Sequence, residues 1–303
     1  MKKVFLALAL LAAAGIASAQ SNVQIYGLID AGLSKQTGER TKVESGIQND
    51  SRIGFKGTED LGNGTSAIFV LENGFDTSTG EANGGLFGRQ AYVGLSSTKY
   101  GTVKLGRQTT PLYTTFQQLD PFAFGLAGDI NRSVNYTKRM SNSVSYTAPA
   151  VVKGLTATVA YGFADDKLKT DRQVGASAAY TDGPLMVQAA FNDVENGLST
   201  NVIGGSYKLA AFTAHALVTE SELRNVETRS YLLGASKQVG TGTVIADVIR
   251  QVNHDLDGRN NTQVALGYTH PLSKRTNLYT SAARTFKRGT DVNMVNAGVR
   301  HTF

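Results

Sequence analysis

After Gln20, runs in which apolar and polar side chains alternate with a period of two recur along the chain, and no helical period stands out against them. The first run puts Val23, Ile25, Gly27, Ile29, Ala31 and Leu33 on one face and Gln24, Tyr26, Leu28 and Asp30 on the other. A later run sets Ile53, Phe55 and Gly57 against Arg52, Gly54, Lys56 and Thr58. The last sets Val295, Ala297, Val299, His301 and Phe303 against Asn296, Gly298, Arg300 and Thr302. Successive side chains of a strand point to opposite sides, so this pattern means a sheet whose two faces meet different surroundings. Proline, which cannot donate to a ladder, occurs 5 times.

The pattern predicts sixteen strands, beginning near Asn22, Ser51, Thr65, Arg89, Gly101, Ser143, Leu155, Arg172, Leu185, Asn201, Phe212, Glu227, Gly242, Asn261, Asn277 and Val292. Their connections alternate in length. Asp60 to Gly64, Lys99 to Gly101, Asp182 to Pro184, Gly240 to Gly242 and Pro271 to Thr276 are short, whereas Lys35 to Asp50 and Asn253 to Asn260 are long and polar. Short turns at one end and long loops at the other fit an antiparallel transmembrane β-barrel with both termini on the periplasmic side. A soluble β-sandwich shares the alternation. The barrel is favoured because the strands are long, their apolar faces are too rich in small residues to fill a sandwich core, and their polar faces carry Arg, Lys, Gln and Tyr.

The N-terminus reads as an export signal. Lys2 and Lys3 precede an apolar stretch from Val4 to Ile16, and Ala17-Ser18-Ala19 is an A-x-A cleavage site, so residues 1–19 are expected to be removed and 20–303 to form one barrel domain. The apolar stretch is too short to span a bilayer. The chain has no cysteine, which excludes a disulfide scaffold, thiolate metal sites and a Cys nucleophile. The formal net charge is +6, and removing Lys2 and Lys3 brings it to +4, with no basic run to mark a nucleic-acid binder. The four histidines are His215, His254, His270 and His301, and none stands in a serine-hydrolase motif. His254-Asp255-Leu256-Asp257 lacks EF-hand spacing. Neither a cofactor nor a metal is expected. A barrel hydrolase and a structural or adhesive barrel without flux are the alternative readings.

Six segments carry a family resemblance. VQIYGLIDA (23–31), SRIGFKGTEDLG (51–62), LFGRQAYVGL (86–95), GTVKLGRQ (101–108), RMSNSVSYTAP (139–149) and GVRHTF (298–303) resemble, in order, strands of the trimeric Gram-negative porins of the Neisseria and Burkholderia type. The resemblance implies a 16-stranded outer-membrane barrel with short periplasmic turns, long outer loops and a third loop folded inward. It implies a water-filled channel for small hydrophilic solutes and ions, a homotrimer, and contact with the lipid bilayer and lipopolysaccharide. The second loop, about 73–88, would then reach over a neighbouring copy. The closing strand, with Val299, His301 and Phe303, resembles the signature that the barrel-assembly machinery reads. The chain is short for the family and has no Trp, so Tyr and Phe must supply its interfacial aromatics.

Thr109 to Lys138 is the longest segment without alternation. A loop of that length is usually functional or disordered, and Phe116, Phe122, Phe124 and Leu126 argue that it packs on something. The resemblance implies that it is the pore constriction, with Asp120 and Asp129 as candidate lumen carboxylates. Opposite it the family carries an arginine wall, matched here by Arg52, Arg89 and Arg139, with Lys56 and Lys104 as further candidates. Parity puts Arg52 with Lys56 on the polar face. It groups Arg89 with Ala91, Val93 and Leu95, so Arg89 needs a bulge or a loop-end position to reach the lumen. A basic wall facing a few carboxylates predicts a mild anion preference.

Overall fold

A computed structural model describes residues 22–167, 169–195, 197–253 and 260–303. The signal peptide (1–19), the expected mature start at Gln20 and the segment His254 to Asp257 lie outside the described residues.

The strands are β1 (Asn22–Gln36), β2 (Lys42–Ser45), β3 (Arg52–Gly62), β4 (Thr65–Gly74), β5 (Gln90–Ser97), β6 (Gly101–Thr109), β7 (Arg139–Thr147), β8 (Leu155–Gly162) and β9 (Gln173–Asp182). They continue as β10 (Leu185–Val194), β11 (Leu198–Lys208), β12 (Thr213–Leu223), β13 (Val226–Val239), β14 (Gly242–Asn253), β15 (Asn261–Pro271), β16 (Thr276–Phe286) and β17 (Val292–Thr302). Every strand from β3 onward pairs antiparallel with the next, and β1 closes the ring against β17, from Leu28↔Thr302 to Gln36↔Met294. The short β2 was not expected. It pairs with Ala31–Ser34 of β1 while β3 pairs with Asn22–Leu28, so β2 and β3 share one place in the wall and the barrel has sixteen staves. Between them residues 46–51 leave the ladder and bend inward. Asp30 on β1 holds them there, accepting from the backbone N–H of Gln48 (2.8 Å) and Asn49 (2.6 Å) and from the Tyr279 hydroxyl (2.5 Å).

Two strands begin three or four residues earlier than the pattern predicts. β7 starts at Arg139 rather than Ser143, because a bulge opposite Gly106–Gln108 shifts its alternation by one residue. β11 starts at Leu198 rather than Asn201.

The two faces separate by environment. Val23, Ile25, Ile29 and Leu33 of β1 point outward and are 44–64% exposed, whereas Asp30 and Ser34 on the inner face are buried. Exposed aromatics ring both ends, including Tyr100, Tyr180, Tyr207 and Phe303 toward the short turns and Phe163, Tyr231 and Phe286 toward the long loops. Such rings sit at the edges of the hydrocarbon layer. Closure leaves no unpaired strand edge, as hydrocarbon requires. Gly27 makes the seam possible. It exchanges backbone hydrogen bonds with Phe303 at 3.1 and 3.0 Å, and a Cβ at Gly27 would stand 2.5 Å from the Phe303 ring.

Candidate functional site

The segment between β6 and β7 enters the barrel. Its first part is helix α1 (Pro111–Leu119). Thr110 caps it, its hydroxyl oxygen accepting from Tyr113 N–H at 3.1 Å, and Pro111 sits where no donor is needed. Leu112, Phe116 and Leu119 recur at helical spacing and are fully buried against the inner wall, on Ala190, Val202, Leu217, Leu232 and Ile249 of β10 to β14. The loop continues round the lumen, where Phe122, Leu126 and Ala127 pack on Ala265, Tyr279, Ala283 and Met294. Wall side chains tie down its backbone. Ser230 Oγ donates to the Ser133 carbonyl at 2.5 Å and Thr200 Oγ1 to that of Asn135 at 2.9 Å, while Ala127 N–H donates to Ser281 Oγ at 2.9 Å. The polar inner face of the barrel thus carries an apolar stripe where the loop covers it.

The two loop carboxylates lie differently from an open lumen pair. Asp120 is turned into the loop and accepts from the N–H of Phe122 (2.9 Å), Phe124 (3.0 Å) and Ile130 (3.4 Å), so it fastens the fold of the loop. Burial, then the charge of Asp129, pushes its pKa up to about 7. Asp129 caps a short 3-10 turn through Asn131 N–H at 2.6 Å, and burial pushes it up to about 6. Asp129 also borders a cavity of about 170 Å³ together with Asp50, Tyr113, Arg132 and Lys138. Asp247, on the inner face of β14, is buried within electrostatic reach of both loop acids.

Across from the loop the structure brings Arg52, Arg89 and Arg139 together. Arg52 opens β3 on the inner face, as parity required. Arg89 lies one residue before β5, and that loop-end position lets it turn inward. Its Nε meets Glu72 Oε1 at 2.7 Å and its Nη1 meets Asp50 Oδ2 at 2.8 Å. Arg52 Nε lies 3.7 Å from Glu72 Oε2, and Arg139 Nε donates to the Arg89 carbonyl at 2.8 Å. Lys56 and Lys104 stand further toward the short turns, with Lys56 Nζ 5.1 Å from the Tyr26 ring centre and Lys104 Nζ 5.0 Å from that of Tyr92.

Glu72 is the residue that sequence reasoning missed. Its side chain is 6% exposed, it pairs with two arginines, and it accepts from the Tyr26 hydroxyl at 2.9 Å. Its signal was there, since Glu72 is an acid at the lumen parity of β4 and its register places it opposite Gly54, two residues from Arg52. Asp50 was missed as well. Burial pushes its pKa up, but the hydrogen bond and charge of Arg89 outweigh this and hold it below the ordinary carboxylate value. On the loop side, Tyr113 and Tyr136 stack at 6.1 Å within reach of the arginines, and burial keeps the Tyr113 phenol neutral by raising its pKa. The loop therefore presents phenols to the arginines, whose acid partners Glu72 and Asp50 come from outside it.

His215 lies on the inner wall beneath the end of α1, bonded to the Leu119 carbonyl, while His270 and His301 sit at the short-turn end and bond Tyr268 and Thr276. Among the described residues no group of three His, Cys, Asp or Glu could hold a metal ion. Val299 on β17 and Phe303 just beyond its end point outward, and His301 shares their parity.

Comparison with known proteins agrees with this architecture. The family model described as Gram-negative porin matches residues 6–290. An outer membrane porin protein of Bordetella pertussis is 31% identical, over all of both chains. Outer membrane porin protein 32 of Delftia acidovorans is 32% identical over 93% of this chain and 89% of its own. Among solved structures, the anion-selective porin from Comamonas acidovorans superposes with a TM-score of 0.84 at 27% identity, covering 94% of this chain and all of that one.

Proposed function

The chain belongs to the Gram-negative porin family and forms a water-filled channel across the outer membrane, and from that premise we propose that the arginine cluster makes the channel mildly anion-selective. The observation that carries this is the charge count at the constriction. Arg52, Arg89 and Arg139 face Glu72 and Asp50, which leaves one positive charge uncompensated. Lys56 and Lys104 add to it, with no ion pair among the described residues. Like charges lining water attract counter-ions and repel co-ions. The solved porin of Comamonas acidovorans is itself described as anion-selective. Reversal potentials across a KCl gradient test the reading. Chloride should permeate faster than potassium, and Arg52→Ala should reduce the ratio; clear potassium preference would overturn it.

The loop acids give that selectivity a pH dependence. Asp120 and Asp129 have pKa values raised to about 7 and about 6 in the folded loop, above the ordinary carboxylate value. Raised values mean that the seated loop holds protons more tightly than the free chain. The associated stabilisation is complete at low pH and is lost as the pH rises through these two values. Going from about pH 8 to about pH 5 should therefore firm the loop, through both acids, remove the negative charge of Asp129, which borders the cavity beside the arginines, and raise the anion preference by about twofold. Asp120→Asn with Asp129→Asn should flatten the profile. A profile equally steep in that variant would assign the titration elsewhere, with His215 the next group to test.

The assembly belongs to the same proposal. A homotrimer is supported by the outer wall at β1 to β5, where Val23, Gly57, Ala67, Phe69 and Val93 line an apolar groove of about 360 Å³. The loop at 73–88 is tied to its own chain, with Phe75 N–H donating to the Ser51 carbonyl at 3.1 Å and Thr77 Oγ1 to that of Asp30 at 3.2 Å, and it leaves Leu86 exposed. Cross-linking before denaturation reads the copy number. The outward row Val299, His301 and Phe303 is kept as the assembly-machinery signature, and lipopolysaccharide as the outer-leaflet partner. Phe303→Ala should lower the amount of barrel assembled in the outer membrane, and unchanged amounts would remove that role.

A further inference from the structure

A second feature of the lumen lies below the constriction. The antiparallel register sets Gln24, Lys56, Val70 and Tyr92 side by side on β1, β3, β4 and β5, all on the inner face. Ile68 lies in the next inward row, beside Gly94, whose partner on β6 is Lys104. Gln24, Lys56, Ile68, Val70 and Tyr92 line a trough of about 350 Å³ in the wall, and Lys104 stands at its border, its Nζ 5.0 Å from the Tyr92 ring centre. Its aliphatic floor is unusual for a water channel. Ala190, Val202, Leu217, Leu232 and Ile249 also face inward, but α1 covers them. Ile68 and Val70 belong to neither buried cluster and stay half-buried, with the trough open before them.

We propose that this trough binds organic anions with a flat apolar body, of the aromatic carboxylate class. The ring would lie on Val70 and Ile68, removing their surface and its own from water. The carboxylate would accept from Lys56 and Lys104. Each ammonium rests on one side against a tyrosine ring and keeps its other donors for a ligand. Neighbouring strands lie about 4.8 Å apart, so Lys56 and Tyr92, two strands apart, bracket a slot of about 10 Å, which suits one ring with its carboxylate. An inorganic anion would use the lysines alone. The trough therefore gives the anion preference a chemical bias toward aromatic over small aliphatic carboxylates, and it rests on the proposed charge reading for the role of the lysines.

The test is ion-current block in planar bilayers holding the refolded mature chain in KCl, with benzoate or acetate added. Benzoate should block at a concentration about tenfold below acetate, the advantage expected from burying one ring against apolar groups. Ile68→Thr with Val70→Thr keeps β-branched shape but removes the apolar floor. It should bring the two acids within about twofold of each other while leaving KCl conductance and reversal potential unchanged. Lys56→Gln should weaken both acids. Equal block by benzoate and acetate in the natural chain would overturn the proposal, as would an undiminished benzoate advantage in the threonine variant. Should the double variant fail to fold, Val70→Thr alone is read by the same criterion. The reversal potential distinguishes the two readings: a channel without chloride preference that still favours benzoate overturns the selectivity reading and keeps the trough.

Discussion

Phe116→Ala should unseat the constriction loop and raise single-channel conductance by about twofold, with added open-state noise, while the barrel stays folded. Phe116 is fully buried, with Leu112 and Leu119 beside it on the wall of β10 to β14. Truncating a buried Phe costs about 3–5 kcal/mol, and the loop has few ways to close the cavity because the wall behind it is a rigid ladder. The loss falls on the loop alone, since strand pairing and outward apolar surface hold the barrel whether or not α1 is seated. The second cluster, at Phe122, Leu126 and Ala127, still tethers the far end, so the loop should fluctuate rather than leave. Thr110→Ala, which removes a helix cap worth about 1 kcal/mol, should move conductance in the same direction by much less. Single-channel recording, with heat-modified gel migration as the control for folding, reads both. A folded Phe116→Ala barrel with unchanged conductance would show that the loop is not what limits flow.

The contrast between wall and loop also explains what could be read from the sequence. The staves were legible because hydrocarbon outside and water inside act on every second residue, so Val23, Ile25, Ile29 and Leu33 are sorted from Gln24, Tyr26 and Asp30 by solvation alone. The inward residues 46–51 were not, because their place is set by a distant acceptor, Asp30, and a hydroxyl on β16 that local pattern does not reveal. The loop's aromatics marked it as packed, yet not which wall it packs on, since Ala190, Val202 and Leu217 look like ordinary strand residues. Asp120 illustrates the difficulty most clearly. A carboxylate in a constriction loop reads as a pore charge, whereas three backbone N–H groups draw it inside the loop. Arg89 went the other way. Its parity pointed it at lipid, and only the end of the loop before β5 turns it to the lumen. Charged residues at element ends are placed by their partners, and partners come from register.

Register is also what makes Glu72 the pivot of selectivity. Its carboxylate binds Arg89 at 2.7 Å and reaches Arg52 at 3.7 Å, so one acid offsets the field of two arginines. Glu72→Gln keeps the shape and a hydrogen-bond acceptor but removes the charge. The wall then carries an extra positive charge next to the passage, and the chloride-to-potassium permeability ratio should rise by about threefold. Arg89→Gln should do the reverse, leaving Glu72 and Asp50 underpaired, and reduce the ratio below that of the natural chain. Both variants strand a partly buried charge. Breaking a fully buried pair costs about 3–5 kcal/mol, and water in the lumen makes the cost here smaller, so a modest fall in unfolding temperature is expected without loss of the barrel. The double variant discriminates between charge and structure. If Glu72 acts through its charge, Glu72→Gln with Arg89→Gln should bring the ratio back near the natural value, and its unfolding temperature should fall by less than the sum of the two single losses, because neither partner of the pair is left stranded. A double variant whose ratio stays far from the natural value, or a Glu72→Gln channel with unchanged reversal potential, would mean that the acid only anchors the arginines in place and that the net charge at the constriction is set by other groups.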